Sequence, residues 1–288
     1  MKDSSIYIEN AKVLNHQHME GGQHIIRLES EKCSQYAKPG MFIHLKCDEN
    51  TLMRRPFSVM RASKEEKWIE ILYKTLGHGT NSLKLVEVGD TLNYMGPIGN
   101  GFSLSKKKTI PLLIGGGVGI PPLIFLASEI KEFSNFKPII FFGSEVTFPF
   151  KYSPSKYMIK DFLPEVTASP DFIEAMGFVS RLASQQDYPG CYKGFIHELA
   201  EHWIKTLNTD QLDKVCIYSC GPTPMLEAVS LVARKYKIDC QICIEEHMAC
   251  AVGGCAGCIV KIKDNNKIVS KRVCVDGPVF DAHQVYPA

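Results

Sequence analysis

Residues 110–127 read IPLLIGGGVGIPPLIFLA and contain no charge. An uncharged apolar run of this length is the ordinary mark of a membrane-spanning helix. Its four glycines and three prolines lie in or beside the centre, where they would break the helix that a span requires. The same letters divide better into a buried strand (residues 110–114), a glycine turn and a covered helix (residues 123–133). The turn runs Gly115-Gly116-Gly117-Val118-Gly119-Ile120-Pro121-Pro122. On the helix, Leu123, Leu126, Ala127 and Ile130 share one face. Prolines are tolerated at a helix start, where the N–H groups have no intrahelical partner. The expectation is therefore a strand–turn–helix unit and no transmembrane segment. The turn lacks the G-x-G-x-x-G order of the dinucleotide fingerprint, yet its glycines let the backbone approach a ligand closely.

The pattern continues toward the C-terminus. Residues 138–143 (PIIFFG) read as the next parallel strand, and residues 144–190 resist assignment beyond the loops at Ser169-Pro170-Asp171 and Tyr188-Pro189-Gly190. A helix is expected over residues 194–207 with Ile196, Leu199, Ala200, Trp203 and Leu207 inward. It contains HELAEH, one residue too long for the H-E-x-x-H zinc motif; His197 and His202 then point about 140° apart and cannot share an ion. Residues 215–220 form a further strand, Gly221-Pro222-Thr223-Pro224 a turn, and residues 225–237 a helix whose stripe is Met225, Val229, Val232 and Tyr236. Cys220 falls at the carboxyl edge of the sheet, where open α/β folds bind ligands. By composition a cysteine there is more often a buried small hydrophobe than a functional thiol.

Before residue 104 the period is that of strands. Residues 24–28, 41–45 and 68–73 are short β-rich runs punctuated by Pro39-Gly40, Gly89-Asp90 and Gly96-Pro97, the pattern of a small antiparallel barrel. Within it, Arg55-Pro56-Phe57-Ser58 can offer a guanidinium to a phosphate and an aromatic wall to a flat ring, or can simply be a basic strand end. Gly79-Thr80 precedes an expected short helix over residues 81–85, where Thr80 can act as N-cap and also meet an anion. The fold class expected is multi-domain, β-barrel plus α/β. Its units are an antiparallel barrel (1–104), a parallel-sheet domain (105–238) and a small cysteine-bearing domain (239–288).

The last unit carries Cys250-Ala251-Val252-Gly253-Gly254-Cys255-Ala256-Gly257-Cys258, answered by Cys274. C-x4-C-x2-C with a distant fourth cysteine is the ligand order of a plant-type [2Fe–2S] cluster. Small residues between the thiolates let the backbone curl round the inorganic sulfurs. Two other readings compete. Cys255 and Cys258 could be half of a zinc site, but Cys274 has no second ligand beside it. A disulfide framework fits poorly with a large chain whose first twenty residues lack the apolar core of a signal peptide. Cytoplasmic localisation is the expectation. With a formal net charge of +2, nothing in the charge balance points to nucleic acid or an acidic membrane.

Taken together, these motifs resemble the ferredoxin–NAD(P) reductase superfamily. Within it they resemble the electron-transfer subunits of NAD-dependent (class 1B) dihydroorotate dehydrogenases. Arg55-Pro56-Phe57-Ser58, Leu72-Tyr73-Lys74 and Gly79-Thr80 match its flavin segments, and Gly96 to Phe102 the strand that closes its barrel. The turn at Gly115, Gly116, Gly117 and Gly119 and the segment Cys220-Gly221-Pro222 match its nicotinamide side. Glu245 to Cys258 and Val273 to Phe280 match its cluster-bearing tail. Residues 144–190 depart from the pattern, and Gly143-Ser144-Glu145 stands where relatives often have Gly-x-Arg. The resemblance implies FAD, NAD and the [2Fe–2S] cluster as cofactors. It also implies a role in pyrimidine biosynthesis and an FMN-containing catalytic subunit as partner, two copies of each in a heterotetramer. Electrons would then pass from dihydroorotate through FMN, cluster and FAD to NAD. No residue of this chain need act as acid or base, although Cys220 could stand beside the nicotinamide. Two alternatives stay open: a flavin/iron–sulfur NAD(P)H oxidoreductase subunit serving another dehydrogenase, hydrogenase or oxygenase, and a non-enzymatic redox sensor.

Overall fold

The computed structural model describes residues 6–48, 52–265 and 267–287. Six strands, β1 (Tyr7–Met19), β2 (Gln23–Glu29), β3 (Phe42–Leu45), β4 (Arg55–Ser63), β5 (Trp68–Lys74) and β6 (Thr91–Ile98), close an antiparallel barrel in the order β1-β2-β5-β4-β3-β6. Inward alternate residues, among them Ile26, Leu28, Ile43, Leu45, Ile69 and Ile71, are fully buried and fill it. The β1–β2 hairpin turns through Gly21 (φ +71°) and Gly22 (φ +68°), a backbone that only glycine adopts easily. Helix α1 (Lys32–Tyr36) and helix α2 (His78–Leu83) cover the barrel ends. The sequence reading had α2 over residues 81–85 with Thr80 as N-cap. Instead Thr80 lies inside the first turn, and its Oγ1 accepts from the N–H groups of Leu76 (2.9 Å) and Gly77 (3.2 Å), so the helix starts earlier.

The strand–turn–helix reading of residues 110–127 holds. The chain forms β7 (Ile110–Gly116), α3 (Ile120–Ile130) and β8 (Ile139–Gly143), and among the described residues no helix is long and apolar enough to cross a membrane. Helix α3 takes Pro121 and Pro122 into its first turn, and it is buried on every side and not on one face. The reason is that it is sandwiched. Phe125 enters the barrel core, while Leu123, Ile124 and Ala127 pack with Leu113 and Tyr218 of the sheet and with Met60 and Leu72 of the barrel.

Residues 144–190 fold as a hairpin, β9 (Tyr152–Pro154) with β10 (Ala168–Pro170), then α4 (Asp171–Ala175) and β11 (Val179–Ser184). Ring contacts among Phe148, Phe150, Tyr152, Phe172 and Tyr188 hold this region. Next come β12 (Tyr192–Lys193), α5 (Ile196–Ile204), α6 (Thr209–Leu212), β13 (Val215–Cys220), α7 (Thr223–Lys235) and β14 (Asp239–Cys243). The buried side of α7 is Leu226, Val229, Ser230, Val232 and Ala233. Val229 and Val232 of the expected stripe are buried; Met225 and Tyr236 are only half-buried, because Met225 turns to Gly116 and Gly221 and the Tyr236 hydroxyl donates to Glu201.

The final elements are β15 (Ile259–Asp264), β16 (Lys267–Arg272), β17 (Val279–Asp281) and α8 (Ala282–Val285). The large sheet has seven strands in the order β12-β11-β8-β7-β13-β14-β17, parallel except for β17 against β14. Residues 239–243 and 279–281, read from sequence as part of the C-terminal unit, are thus strands of the central sheet. What stands apart is the cysteine loop and the β15–β16 hairpin between them.

His44 on β3 is fully buried, and burial first, then the Arg54 charge, lowers its pKa to about 4. An unfolded histidine titrates near its ordinary value of about 6.5. The unfolded chain therefore binds the extra proton in the window between, so stability present at pH 7 is lost as pH falls toward 4. The slope approaches about 1.4 kcal/mol per pH unit for one such group. Urea midpoints at pH 7 and pH 5 should converge in His44→Leu relative to wild type.

Candidate functional site

The four cysteines of the tail gather as two pairs. Cys258 and Cys274 are buried, with sulfurs 3.3 Å apart. Cys250 and Cys255 lie toward the surface, where the Cys255 N–H donates to Cys250 Sγ (3.3 Å) and the Gly257 N–H to Cys255 Sγ (3.4 Å). The N–H groups of Val252 and then Cys255 draw the Cys250 thiol down to about 6, while burial and then Cys258 push Cys274 up to about 12. The loop conformation needs Gly253 at φ +84°, held under Val275, with Arg272 Nη1 donating to its carbonyl (3.0 Å). Among the described residues no three cysteine sulfurs lie within 4.8 Å of one another. One tetrahedral ion wants four sulfurs about 3.8 Å apart. Two separated pairs with backbone donors at the sulfurs suit two irons bridged by sulfide.

This unit is tied to the barrel. The Asn100 N–H donates to the Gly277 carbonyl (2.6 Å), and Asn100 Nδ2 donates to those of Val275 (2.8 Å) and Asp276 (3.2 Å). Beside the tie lies a cavity of about 420 Å³. Pro56 and Ser58 of β4 line it from the barrel, Thr223 from the start of α7, and Cys243 with residues 244–248 from the end of β14. Met248, on its wall, is buried in the same core cluster as Ala251, Cys258 and Cys274. Glu245 opens onto the cavity and so to solvent, yet the protein mass around it raises its carboxyl to about 7.

A second cavity, about 470 Å³, opens where β7, β8, β11 and β13 end. Gly116, Gly117, Ser144, Glu145, Pro222 and Met225 line it, and Lys74 reaches it from the barrel. The turns that shape it touch without side chains between them: a Cβ on Gly119 would lie 2.5 Å from the Cys220 carbonyl and the Gly221 nitrogen.

The residues singled out in the sequence divide accordingly. Gly116 and Gly117 line the second cavity with Pro222, whereas Gly115 and Gly119 serve packing. Gly221 packs beneath Met225. Pro56 and Ser58 face the first cavity, and Phe57 points into the barrel, edge-on to Tyr73. Leu72 lies in the barrel–sheet seam beneath α3, while Tyr73 is buried among barrel residues. Arg55 and Gly79 are neighbours, a Cβ on Gly79 lying 3.7 Å from Arg55 Cγ, while the Arg55 guanidinium donates to the carbonyls of Met53 (2.9 Å) and Arg54 (3.2 Å). Cys220 is fully buried, its thiol pushed up by a hydrogen bond with Cys243 and by burial. The thiol at the cavity is that of Cys243, and sequence reasoning missed it together with Glu245. Cys220 and Cys243 are register partners on adjacent strands and share one face of the sheet, and of the two Cys243 lines the first cavity. His197 lines the second cavity beside Phe195, while His202 lies against Tyr192, so the two histidines share no site.

Residues 245–286 match the family model described as the iron-sulfur cluster binding domain of dihydroorotate dehydrogenase B. The chain is 33% identical over 247 residues to a protein of Caldanaerobacter subterraneus subsp. tengcongensis, covering 86% of each. It is 32% identical over 267 residues to one of Shouchella clausii, covering 90% of each. Both relatives are named dihydroorotate dehydrogenase B (NAD(+)), electron transfer subunit. Among solved structures, a chain of NADH-dependent reduced ferredoxin-NADP oxidoreductase superposes with TM-score 0.75 at 23% identity, over 99% of this chain and 91% of that one. Phthalate dioxygenase reductase superposes with TM-score 0.58 at 14% identity, over 92% and 76%. At these identities the structural likeness speaks to the fold.

Gly119→Ala should force the two turns apart, a clash that costs about 1–3 kcal/mol in a packed interior. A lowered urea midpoint with iron content per chain unchanged is the expected result. A midpoint equal to wild type would show that the contact is not needed.

Proposed function

Since the chain belongs to the family of dihydroorotate dehydrogenase B (NAD(+)) electron transfer subunits, we propose that it relays electrons between a catalytic dehydrogenase subunit and NAD. In this reading Cys250, Cys255, Cys258 and Cys274 hold a [2Fe–2S] cluster, and the barrel holds FAD. The turns at Gly116, Gly117 and Pro222 receive NAD. The single observation that carries it is the shared wall: residues 244–248 line the cavity beside Ser58 and run directly into the Cys250 loop. A flavin in that cavity exchanges two electrons with a nicotinamide and single electrons with a cluster.

The chain's own residues supply position and protons. Arg55 and the Gly79-Thr80 start of α2 offer charge and backbone N–H groups to a pyrophosphate. Pro56 and Ser58 bound the flat end of the site, and Leu72, Tyr73 and Lys74 brace it from β5. Glu245, its carboxyl held up at about 7, can carry a proton at the wall of the first cavity, which His247 and Cys243 also line and which Cys220 does not reach. The flavin unit corresponds to residues 1–104 and the NAD unit to 105–238. The cluster unit corresponds to 239–288, with its first and last strands lent to the sheet. Half-exposed Val252 and Val275 flank the exposed Cys255, an apolar rim suited to close approach by a partner. That partner is an FMN-bearing catalytic subunit in a cytoplasmic assembly of two copies of each.

Dihydroorotate-dependent NAD reduction should appear only when the FMN-bearing subunit is added. NADH-to-dye activity should be present in the isolated chain. Cys274→Ser should abolish the first and spare much of the second, because a dye draws directly on the flavin. Robust dihydroorotate oxidation by the isolated chain would refute the reading.

NADH should be preferred over NADPH. Among the described residues Lys74 is the one lysine or arginine lining the second cavity, and Glu145, which also lines it, would repel a 2′-phosphate there. Ser144→Arg should improve use of NADPH about tenfold or more, a charged hydrogen bond contributing ~1.5–3 kcal/mol. Equal kcat/KM for both nucleotides in wild type would contradict the assignment.

A further inference from the structure

Three histidines of the β1–β2 hairpin form a group that the electron path does not use. His16 and His18 are two apart on β1, so the pleat turns both to one side. His18 is paired directly across from His24 of β2. One ring nitrogen of each lies within 4.8 Å of the other two, and among the described residues no other trio of histidine, cysteine or acidic ligand atoms is so close. His18 Nδ1 and His24 Nδ1 are 2.8 Å apart. His24 is 2% exposed, and its Nε2 has no hydrogen-bond partner. His16 Nδ1 stands 2.7 Å from the Val86 carbonyl, so it carries the hydrogen and donates, leaving Nε2 as the lone pair. That lone pair accepts from the Tyr73 hydroxyl at 2.9 Å.

We propose that His16, His18 and His24 form a binding site for a divalent transition-metal ion of the zinc type. Three imidazoles are a recognised zinc donor set, with the fourth position left to a small exchangeable ligand. Two nitrogens on one tetrahedral ion stand about 3.4 Å apart. That separation lies between the present 2.8 Å contact and the 4.8 Å within which the group's nitrogens fall, so ring rotations that release His16 from the Tyr73 hydroxyl complete it. An N–H donated to a backbone carbonyl from the far side of the ring is what orients a ligating histidine, and His16 already makes that bond to Val86.

The His18–His24 contact holds one hydrogen between two Nδ1 lone pairs, and an ion would take both; the buried Nε2 of His24 lacks a partner in either case. Two of the rings are also held toward the neutral form that binds a metal. Burial, then the neighbouring charges of His18 and His16, holds His24 down at about 4, and burial lowers His16 as well. Lys84 acts on His24 more weakly than either histidine. His18 is exposed and opens the site to solvent.

The test is anaerobic equilibrium dialysis of the cofactor-loaded protein against micromolar free Zn²⁺, with metal content read by mass spectrometry and the visible spectrum recorded beside it. About one zinc per chain should bind in addition to the iron, with the spectrum unchanged. His18→Ala, at an exposed position, should keep the fold and weaken zinc binding about tenfold or more. His16→Gln should do the same while leaving the visible spectrum intact. No zinc uptake by wild type would overturn the proposal. So would equal uptake by both variants, or uptake that bleaches the spectrum and so marks replacement of iron at the thiols.

Discussion

Two turns meet at Gly119 with nothing but backbone between them, and much of the molecule is arranged around that contact. A glycine there lets the turn after β7 lie directly on the carbonyl of Cys220 and the nitrogen of Gly221. The approach sets where α3 and α7 begin, and therefore where the carboxyl edge of the sheet opens into a cavity. It also directs α3 out of the sheet toward the barrel. There Phe125 is buried with barrel side chains, while its helical neighbours are buried with sheet ones. A helix that serves two cores cannot shift toward one without uncovering the other.

The same economy of contacts appears on the far side of the barrel. Asn100 uses one side chain and one N–H to hold three consecutive carbonyls after Cys274. Barrel, sheet and the segment leading into the cysteine loop thus converge on one cavity, each contributing a wall. The electrostatics follow from the packing. Backbone N–H groups favour the thiolate of Cys250, whereas burial and then the neighbouring Cys258 push the Cys274 thiol up.

What could be read in the sequence was whatever depends on neighbours along the chain. The strand–turn–helix division at residues 110–127, the thiol spacing and the barrel strands are of this kind, because period and spacing act locally. Several features were out of reach because they depend on register and partners. That Cys243 lies beside Cys220 and lines the cavity depends on tertiary packing, as does the membership of residues 239–243 and 279–281 in the large sheet. Helix α3 looked one-faced because its second cover, the barrel, is distant in sequence. Residues 144–190 carry too few periodic apolar positions to read, since their order comes from aromatic contacts and from Glu174, which accepts from Ser155, Ser169 and the Lys156 N–H.

The cysteine unit is an insertion in the sheet, leaving by β14 and returning by β17, with Cys243 paired to Val279. Both ends of the insertion are therefore fastened by main-chain pairing that needs no metal. The entropy of bringing Cys274 back to the other three thiols is largely met by the sheet, because the closure that matters is already made. Damage at the exposed pair then becomes a local event: the loop can lose its inorganic core, stay tethered at both ends, and be refilled without unfolding the rest. Repair of this protein is a matter of refitting one loop, and its working life can outlast that of any single cluster it carries.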